Sequence, residues 1–414
     1  MVEATPSKNL GPLARQEARL AWSLLLPTLF IVSIVVIVPL VSIFWISFKP
    51  IKLGDLRPVV PIAKEFFRGS PESVGDSSEI HYKLRNSSRE VSIENVTLED
   101  LVPKGLIIKN LDSRCHLLGS VLKCSLGEFP GGYRETLKIS AIVTPAFFTE
   151  FIKPQQSLPL MNGQSENILT NFNFSTENFK LIFDREEFSR VLYVTLFYTF
   201  FGTSGAIIFG LFAALLLNRS VRGQGILRGL LLFPYVAPII AVAFTWIILF
   251  DPFSGSVNAL LIQMNVIETP INFFSRKPLA LITVTVFEVW RYFPLSFLFI
   301  LSKMQSINDE MYEASEMDGA SPFQQFWYLG LPMLFGILSV LFLLRFIWTF
   351  NKFDDIFLLT GGNAGTRTLT VNVYEKAFAI SNIGAGAAVA VIIFGCLIFF
   401  SLVFFRFINR EEGL

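Results

Sequence analysis

The chain has 414 residues, 52% hydrophobic and 16% charged, with a formal net charge of +1 and a mean hydropathy of +0.55. Soluble proteins of this length carry about 25% charged residues. This depletion, together with several apolar runs long enough to cross a bilayer, excludes a soluble globule and gives a polytopic α-helical membrane protein; the near-neutral charge leaves no electrostatic footprint for nucleic acid.

A short tail, residues 1–19, precedes the first apolar run, LAWSLLLPTLFIVSIVVIVPLVSIFWISF, residues 20–48. The run is too long, and lacks the small-residue cleavage site, to be a removable leader, so it is expected to span the membrane.

Residues 49–187 are the one large polar segment and are expected to form an inserted domain. Its middle alternates in strand fashion, as in Val91-Ile93-Val96 and Leu137-Ile139-Ala141, with Pro-Lys-Gly and Pro-Gly-Gly turns between. That pattern predicts a small β-sandwich over about residues 80–147. The LVPKGL and CSLGEFPGG stretches resemble the bacterial Ig-like repeats of surface proteins, over about sixty residues. Cys115 and Cys124 lie close together in this polar part, whereas Cys396 is alone in an apolar run. Such a pair reads as a disulfide on an oxidising, extracytoplasmic side, two free thiols being the alternative. Three Asn-x-Ser/Thr triplets (Asn86, Asn95, Asn173) are no more than chance supplies. The two histidines, His81 and His116, are far apart and no HExxH or CxxC spacing occurs, so no metal is expected.

Five further apolar spans follow, at residues 188–217, 226–250, 278–301, 331–350 and 385–407, giving an apolar core from residue 188 to the end. Basic residues flank them unevenly: Lys8, Arg15 and Arg19 before the first span, Arg219, Arg222 and Arg228 between the second and third, and Arg406 and Arg410 at the end. All fall on one side if six spans alternate, with Arg276 and Lys277 dissenting, so both termini are expected in the cytoplasm and the cysteine pair outside. Gly384, Gly386 and the neighbouring alanines suit close helix approach. The abundant phenylalanines suit lipid and interhelical contact.

Nucleotide-binding and catalytic signatures are missing. GGNAGTRT from Gly361 lacks the lysine and spacing of a phosphate-binding loop, and no nucleophile elbow stands out. The chain is therefore expected to be no enzyme and to carry no cofactor.

The stretch EASEMDGASPFQQFWYLGLP, from Glu313 to Pro332, is an acidic, interrupted insert between two very apolar runs. Ser306 and Asn308 offer helix starts before DEMYEASEMD, whose early acids suit the helix dipole. Gly319 can end that helix in the left-handed conformation. Ser321 can cap a second one, with Pro322 at its first position and Gln324 three residues after the cap. Two short helices meeting at a glycine elbow, the second running into the fifth span, are predicted. An ordinary amphipathic linker is the plainer reading.

Glu313-Ala314-Ser315, Gly319 and Leu329-Gly330-Leu331-Pro332 keep every spacing of the EAA loop of binding-protein-dependent ABC transporter permeases. The departures are Ser315 for Ala and Leu329 for Ile. FIWTFNKFDDIFLLTGGNAGTRTLTVNVYEKAF resembles the sugar-permease signature, and LFPYVAPIIAVAFTWIILF the third core span of that family. The resemblance runs from about residue 188 to the end. It is nearest to the larger, maltose-permease-type subunit, which also carries an inserted extracytoplasmic domain.

The resemblance implies a six-helix type I importer permease. It implies that the loop over residues 304–332 docks in a groove of a cytoplasmic ATPase and relays its closure, with Glu313 as the contact to a basic residue of the ATPase. Ala314, Ser315 and Asp318 lie in the same docking helix, Gly319 sets the elbow, and Leu329, Leu331 and Pro332 lead into the fifth span. The sugar-lining positions of the family fall on Tyr235, Ile239, Glu288, Arg291, Tyr292, Arg345, Trp348, Thr349 and Lys352. Aromatic rings such as Tyr235, Tyr292 and Trp348 suit sugar faces. Yet Glu288, Arg291, Arg345 and Lys352 are charged where the family member is neutral, and charges inside a membrane pair or face a cavity. Either the ligand is more polar or anionic, or Glu288 pairs with Arg291 or Arg345 and fills the site, leaving the sugar to the partner subunit. One acid among three bases favours the second.

The implied partners are a second, similar permease subunit, two ATPase subunits, an extracytoplasmic solute-binding protein, a di- or oligosaccharide and membrane lipid, in a bacterial cytoplasmic membrane. A self-sufficient secondary transporter or channel using the buried charges is the alternative. A receptor anchored by six spans would leave the three matches unexplained.

Overall fold

The computed structural model describes residues 12–89, 91–150, 158–183, 186–218 and 222–408. Lys8, Arg219 and Arg410 lie outside these residues, as does the side chain of Arg15. The chain divides into two compact units, Lys49–Ser175 and the remainder before and after it.

In the membrane unit, five unbroken helices are long and apolar enough to cross a bilayer: Gln16–Ser47, Glu186–Leu217, Leu279–Met304, Pro322–Phe350 and Ile383–Ile408. They are the first, second, fourth, fifth and sixth spans. The third is a bent pair, Gln224–Val236 and Ile239–Leu249, turning by 89°. The apolar run read over residues 226–250 falls on this bent pair. Pro238 forces its predecessor out of the helical region, and Ala237 is extended at φ −62°, ψ 143°.

Glycines let the second and fourth spans approach closely. A Cβ on Gly210 would stand 2.6 Å from Ser296 Cβ and 2.8 Å from the Phe297 nitrogen, and one on Gly205 would stand 2.5 Å from Val289 Cγ2. Small residues at such contacts replace the hydrophobic drive that lipid does not supply. The sixth span uses the same device: a Cβ on Gly386 would meet Ala377 Cβ at 2.7 Å. Further along, its Phe394 ring packs edge-on against Phe44 of the first span. Cys396 is a free, half-buried thiol.

The polar unit is a sandwich of two four-stranded antiparallel sheets. One has the order β1-β2-β7-β4 and the other β5-β6-β3-β8. The strands are β1 Pro61–Arg68, β2 Ser77–Asn86, β3 Ile93–Leu101, β4 Leu106–Asn110, β5 Cys115–Leu118, β6 Val121–Phe129, β7 Arg134–Val143 and β8 Leu160–Ser165. Alternating side chains fill the space between the sheets: Ile80, Tyr82 and Leu84 from β2, Leu137, Ile139 and Ala141 from β7, and Val96, Leu98 and Leu122 from the other sheet. The sandwich therefore reaches beyond the 80–147 range read from alternation. The first strand opens on a proline and the last, LMNGQS, is largely polar, so neither carries a clean period-two signal.

The Pro-Lys-Gly turn closes with Gly105 at φ +87°, where a Cβ would lie 2.2 Å from the Phe147 nitrogen. Only glycine fits there. Cys115 and Cys124 face each other across β5 and β6 and are joined by a disulfide.

Candidate functional site

Two places in the membrane unit gather the residues singled out from sequence. The first is the acidic elbow. Helix Asp309–Met317 starts where the Asn308 side chain accepts the Glu310 N–H; Ser306 instead donates its hydroxyl to the Lys303 carbonyl at 2.7 Å. The helix ends at Gly319, φ +80°, with the Gly319 N–H on the Glu316 carbonyl at 2.9 Å and the Ala320 N–H on the Ser315 carbonyl at 3.0 Å. These bonds satisfy the last carbonyls of the helix through a left-handed residue. Ser321 and Gln324 then cap each other reciprocally, the Ser321 N–H reaching Gln324 Oε1 at 2.8 Å.

From Pro322 the helix continues without a break into the fifth span. A π turn at Gln325–Gly330 precedes Pro332. The wider turn accommodates a ring that would otherwise press on the preceding carbonyls.

Glu313, Ala314, Asp318, Gly319 and Pro332 are exposed, and Ser315, Leu329 and Leu331 half-buried. Ser315, where the family pattern has alanine, ties the elbow together: Gln325 Nε2 donates to its Oγ at 2.9 Å, and that Oγ donates to the Tyr312 carbonyl at 2.7 Å. Gln325 carried no signal in the sequence that would have singled it out. Beside the acids stand the bared apolar side chains of Met317, Phe323 and Tyr328, exposed by 89%, 72% and 82%. A cleft of about 290 Å³ opens between Ser315, Asp318 and Tyr328.

The second place is a buried charge cluster. Glu288, on the fourth span, is fully buried. Its Oε1 accepts from Arg345 Nη2 at 2.6 Å and from Thr349 Oγ1 at 2.9 Å, both on the fifth span. Its Oε2 accepts from Tyr198 Oη of the second span at 3.0 Å. Of the two pairings open for Glu288, the structure forms the one with Arg345.

Arg291 has a different task. Its Nη1 and Nη2 donate to the carbonyls of Pro234 and Ala237 at 3.2 and 3.1 Å. Those carbonyls lie at the bend of the third span, where helical hydrogen bonding is interrupted and hydrocarbon offers no substitute.

Lys352 donates to Tyr292 Oη and stands 4.0 Å from Asp355 Oδ2. The Tyr292 ring has the Arg345 guanidinium over it at 4.5 Å and the Lys352 ammonium at 4.1 Å. Cation–π attraction is strongest in such desolvated settings. Tyr235 meets Tyr292 edge-on at 6.0 Å.

The cluster thus brings together Glu288, Arg291, Tyr292, Arg345, Thr349 and Lys352, with Tyr235 at its edge. Ile239 is half-buried on the second limb of the bent span, and Trp348 is 48% exposed on the fifth span. Sequence reasoning missed Tyr198 and the fully buried Asp355. Tyr198 sits unmarked in an apolar run, and Asp355 looks like one half of a solvated Asp-Asp pair at a helix start.

Residues 206–412 match the family described as binding-protein-dependent transport system inner membrane component. The inner membrane ABC transporter permease protein YcjO of Escherichia coli is 34% identical over 229 residues, 55% of this chain and 77% of that protein. The trehalose/maltose transport system permease protein MalF of Thermococcus litoralis is 31% identical over 230 residues, again 55% of this chain and 77% of that protein. The sn-glycerol-3-phosphate transport system permease protein UgpA of Yersinia pestis is 31% identical over 256 residues, 60% of this chain and 85% of that protein. The fold is similar to that of a chain in the crystal structure of a bacterial ABC transporter involved in the import of the acidic polysaccharide alginate. The TM-score is 0.52 at 19% identity, over 57% of this chain and 85% of that one. These matches lead to one conclusion: the chain belongs to the family of inner-membrane components of binding-protein-dependent transport systems.

Proposed function

We propose that this chain is one of two permease subunits of an ATP-driven importer for a di- or oligosaccharide. It would pair with a second, similar subunit, two cytoplasmic ATPases and an extracytoplasmic solute-binding protein. Both termini and the elbow lie in the cytoplasm in this reading, and the sandwich lies outside. The elbow is the site of ATPase coupling, through Glu313, Ala314, Ser315, Asp318, Gly319, Leu329, Leu331 and Pro332. Hydrolysis belongs to the partner ATPases.

One observation supports the coupling role above the others. The elbow is rigid from within, capped at both helix starts and closed at Gly319, yet it holds Met317, Phe323 and Tyr328 in the open beside its acids. Bared apolar side chains rimmed by charge mark an interaction surface. Sugar as the cargo rests on the family's lining positions and on relatives such as the trehalose/maltose permease protein. At those positions the buried charges are engaged with one another and with Thr349 and Tyr198. That arrangement favours a path in which this subunit shapes the channel while the other subunit holds most of the sugar.

Co-expression of the tagged chain with its genomic neighbours tests the reading. Co-purification of an ATPase is expected, and Glu313→Lys should abolish it while membrane insertion stays normal. Transport by the chain alone, driven by an ion gradient, would sink the proposal in favour of a secondary transporter.

A further inference from the structure

We infer that the outer face of the β1-β2-β7-β4 sheet is a binding site for a carboxylated oligosaccharide. The inference goes beyond the importer reading and concerns only the sandwich.

The register sets like charges directly opposite one another on that face. Lys64 of β1 is paired with Lys83 of β2, and Arg85 of β2 with Arg134 of β7. Like charges in facing positions destabilise a sheet. Among the described residues, none of these four side chains has an acidic partner within salt-bridge distance. The one acid among the outward positions of β1, β2 and β7 is Glu79, whose Oε2 already meets His81 Nε2 at 2.6 Å.

Protection of a sheet edge accounts for lysine on an edge strand, and β1 is one. It does not account for Lys83, Arg85 or Arg134, which stand on the interior strands β2 and β7. A sequence that keeps four repelling cations on a packed face gains from an anion that bridges them, because guanidinium groups bind carboxylates in bidentate fashion.

Shape and chemistry narrow the class of anion. The four cations line a cleft of about 400 Å³ with Leu84, Thr136 and Glu135, the Glu135 carboxylate being held by Arg114; it is a concavity in the range of ligand sites, about 300–1,000 Å³, rather than a flat docking plane. In the next row, Phe66 is 37% exposed, with the Lys83 ammonium 5.0 Å above its ring. A carboxylate in the cleft would draw that ammonium off the ring and leave the aromatic face for the C–H side of a sugar. Cations for carboxylates, a hydroxyl for hydroxyls and a ring for sugar faces together describe an acidic glycan chain.

The test uses the purified full chain in detergent and measures binding of short oligogalacturonates by calorimetry. Neutral malto-oligosaccharides of equal length, polyaspartate and vesicles rich in anionic lipid serve as comparisons. Oligogalacturonate should bind, with affinity falling steeply as salt is raised from about 50 to 200 mM. Arg85→Glu with Arg134→Glu should weaken it by about tenfold or more, and Phe66→Ala by about threefold or more. Both variants should keep the thermal transition of the sandwich, since they alter exposed positions. Lys64→Ala with Lys83→Ala is the milder second pair, expected to weaken binding in the same direction. Equal binding of the neutral sugars, or unchanged affinity in the folded charge variants, would overturn the inference. So would polyaspartate or vesicles binding as tightly as the glycan with no effect of Phe66→Ala, which would assign the face to a protein or a membrane. None of these outcomes bears on ATPase capture, so failure here leaves the importer reading standing.

Discussion

Arg345 Nη2 donates to Glu288 Oε1 at 2.6 Å between the fifth and fourth spans, and both side chains are closed off from solvent. Removing one member of such a buried pair strands the other, at a cost of about 3–5 kcal/mol, whereas replacing both with apolar groups is often neutral. Arg345→Met should therefore lower the unfolding temperature of the detergent-purified chain sharply. Glu288→Met with Arg345→Met should recover most of the loss. Equal losses in the single and double variants would show that the pair is not the unit described.

Arg291 predicts a different pattern. Its forked guanidinium serves two carbonyls at the bend, a geometry that the single ammonium of lysine does not match. Arg291→Lys should cost about 1.5–3 kcal/mol, the range for hydrogen bonds to charged groups. The loss should be local: a cysteine placed at Val236 should label faster in the variant. Unchanged labelling would mean that the bend holds without Arg291.

At the elbow, strain and bonding separate cleanly. Gly319 has open space around it but a φ of +80°, so Gly319→Ala meets no clash and should still cost about 1–2 kcal/mol through the left-handed backbone. Ser315→Ala restores the residue of the family pattern but removes the Gln325 bond, worth about 1 kcal/mol. Both should speed amide exchange across residues 313–325, with the larger effect from Gly319→Ala. The reverse order would show that the Ser315–Gln325 tie, not the backbone, holds the angle.

Acid should loosen the sandwich in a window set by Arg114. The Arg114 side chain and its backbone N–H hold the Asp112 carboxyl down at about 2. The same guanidinium, at 2.7 Å from Oε1, lowers Glu135, with Tyr133 donating to the second oxygen. Both folded values lie below the unfolded ones. The stability these groups contribute is thus complete above about pH 5 and is lost as pH falls toward about 2. Pepsin cleavage of the full chain across that window should set in at higher pH for Arg114→Gln, by about half a unit. An identical onset would remove Arg114 from the account.

Much of this architecture is legible in the residues themselves, for identifiable reasons. The elbow is fixed by contacts between neighbours in sequence, so Asn308, Gly319, Ser321 and Gln324 announce it. Alternation in β2 and β7 is equally local. The bend at Pro238 was within reach, since the proline and its restricted predecessor both stand in the sequence. The charge cluster was only half visible. Glu288 and Arg345 stood out as charges in apolar runs, but which base the acid takes depends on how three spans turn about their axes. Tyr198 joins it through a contact 90 residues away, which no local pattern marks, and Asp355 stands near Lys352, three residues before it, in what reads as an exposed helix start. The facing lysines and arginines of the sandwich depend on strand register, which turns and packing set together.

The helix from Pro322 to Phe350 is unbroken, and it carries Gln324 of the elbow near one end and Arg345 near the other. Twenty-one residue steps at the usual rise place them about 32 Å apart. The chain has thus made a single stiff crank, with an exposed handle at one end and its most guarded ionic contact near the other. A tilt of about 10° imposed at the handle would swing the far end by about 5.5 Å, about twice the length of the bond between Arg345 and Glu288. A partner that turned the elbow would therefore act directly on the contact that joins the fifth span to the fourth.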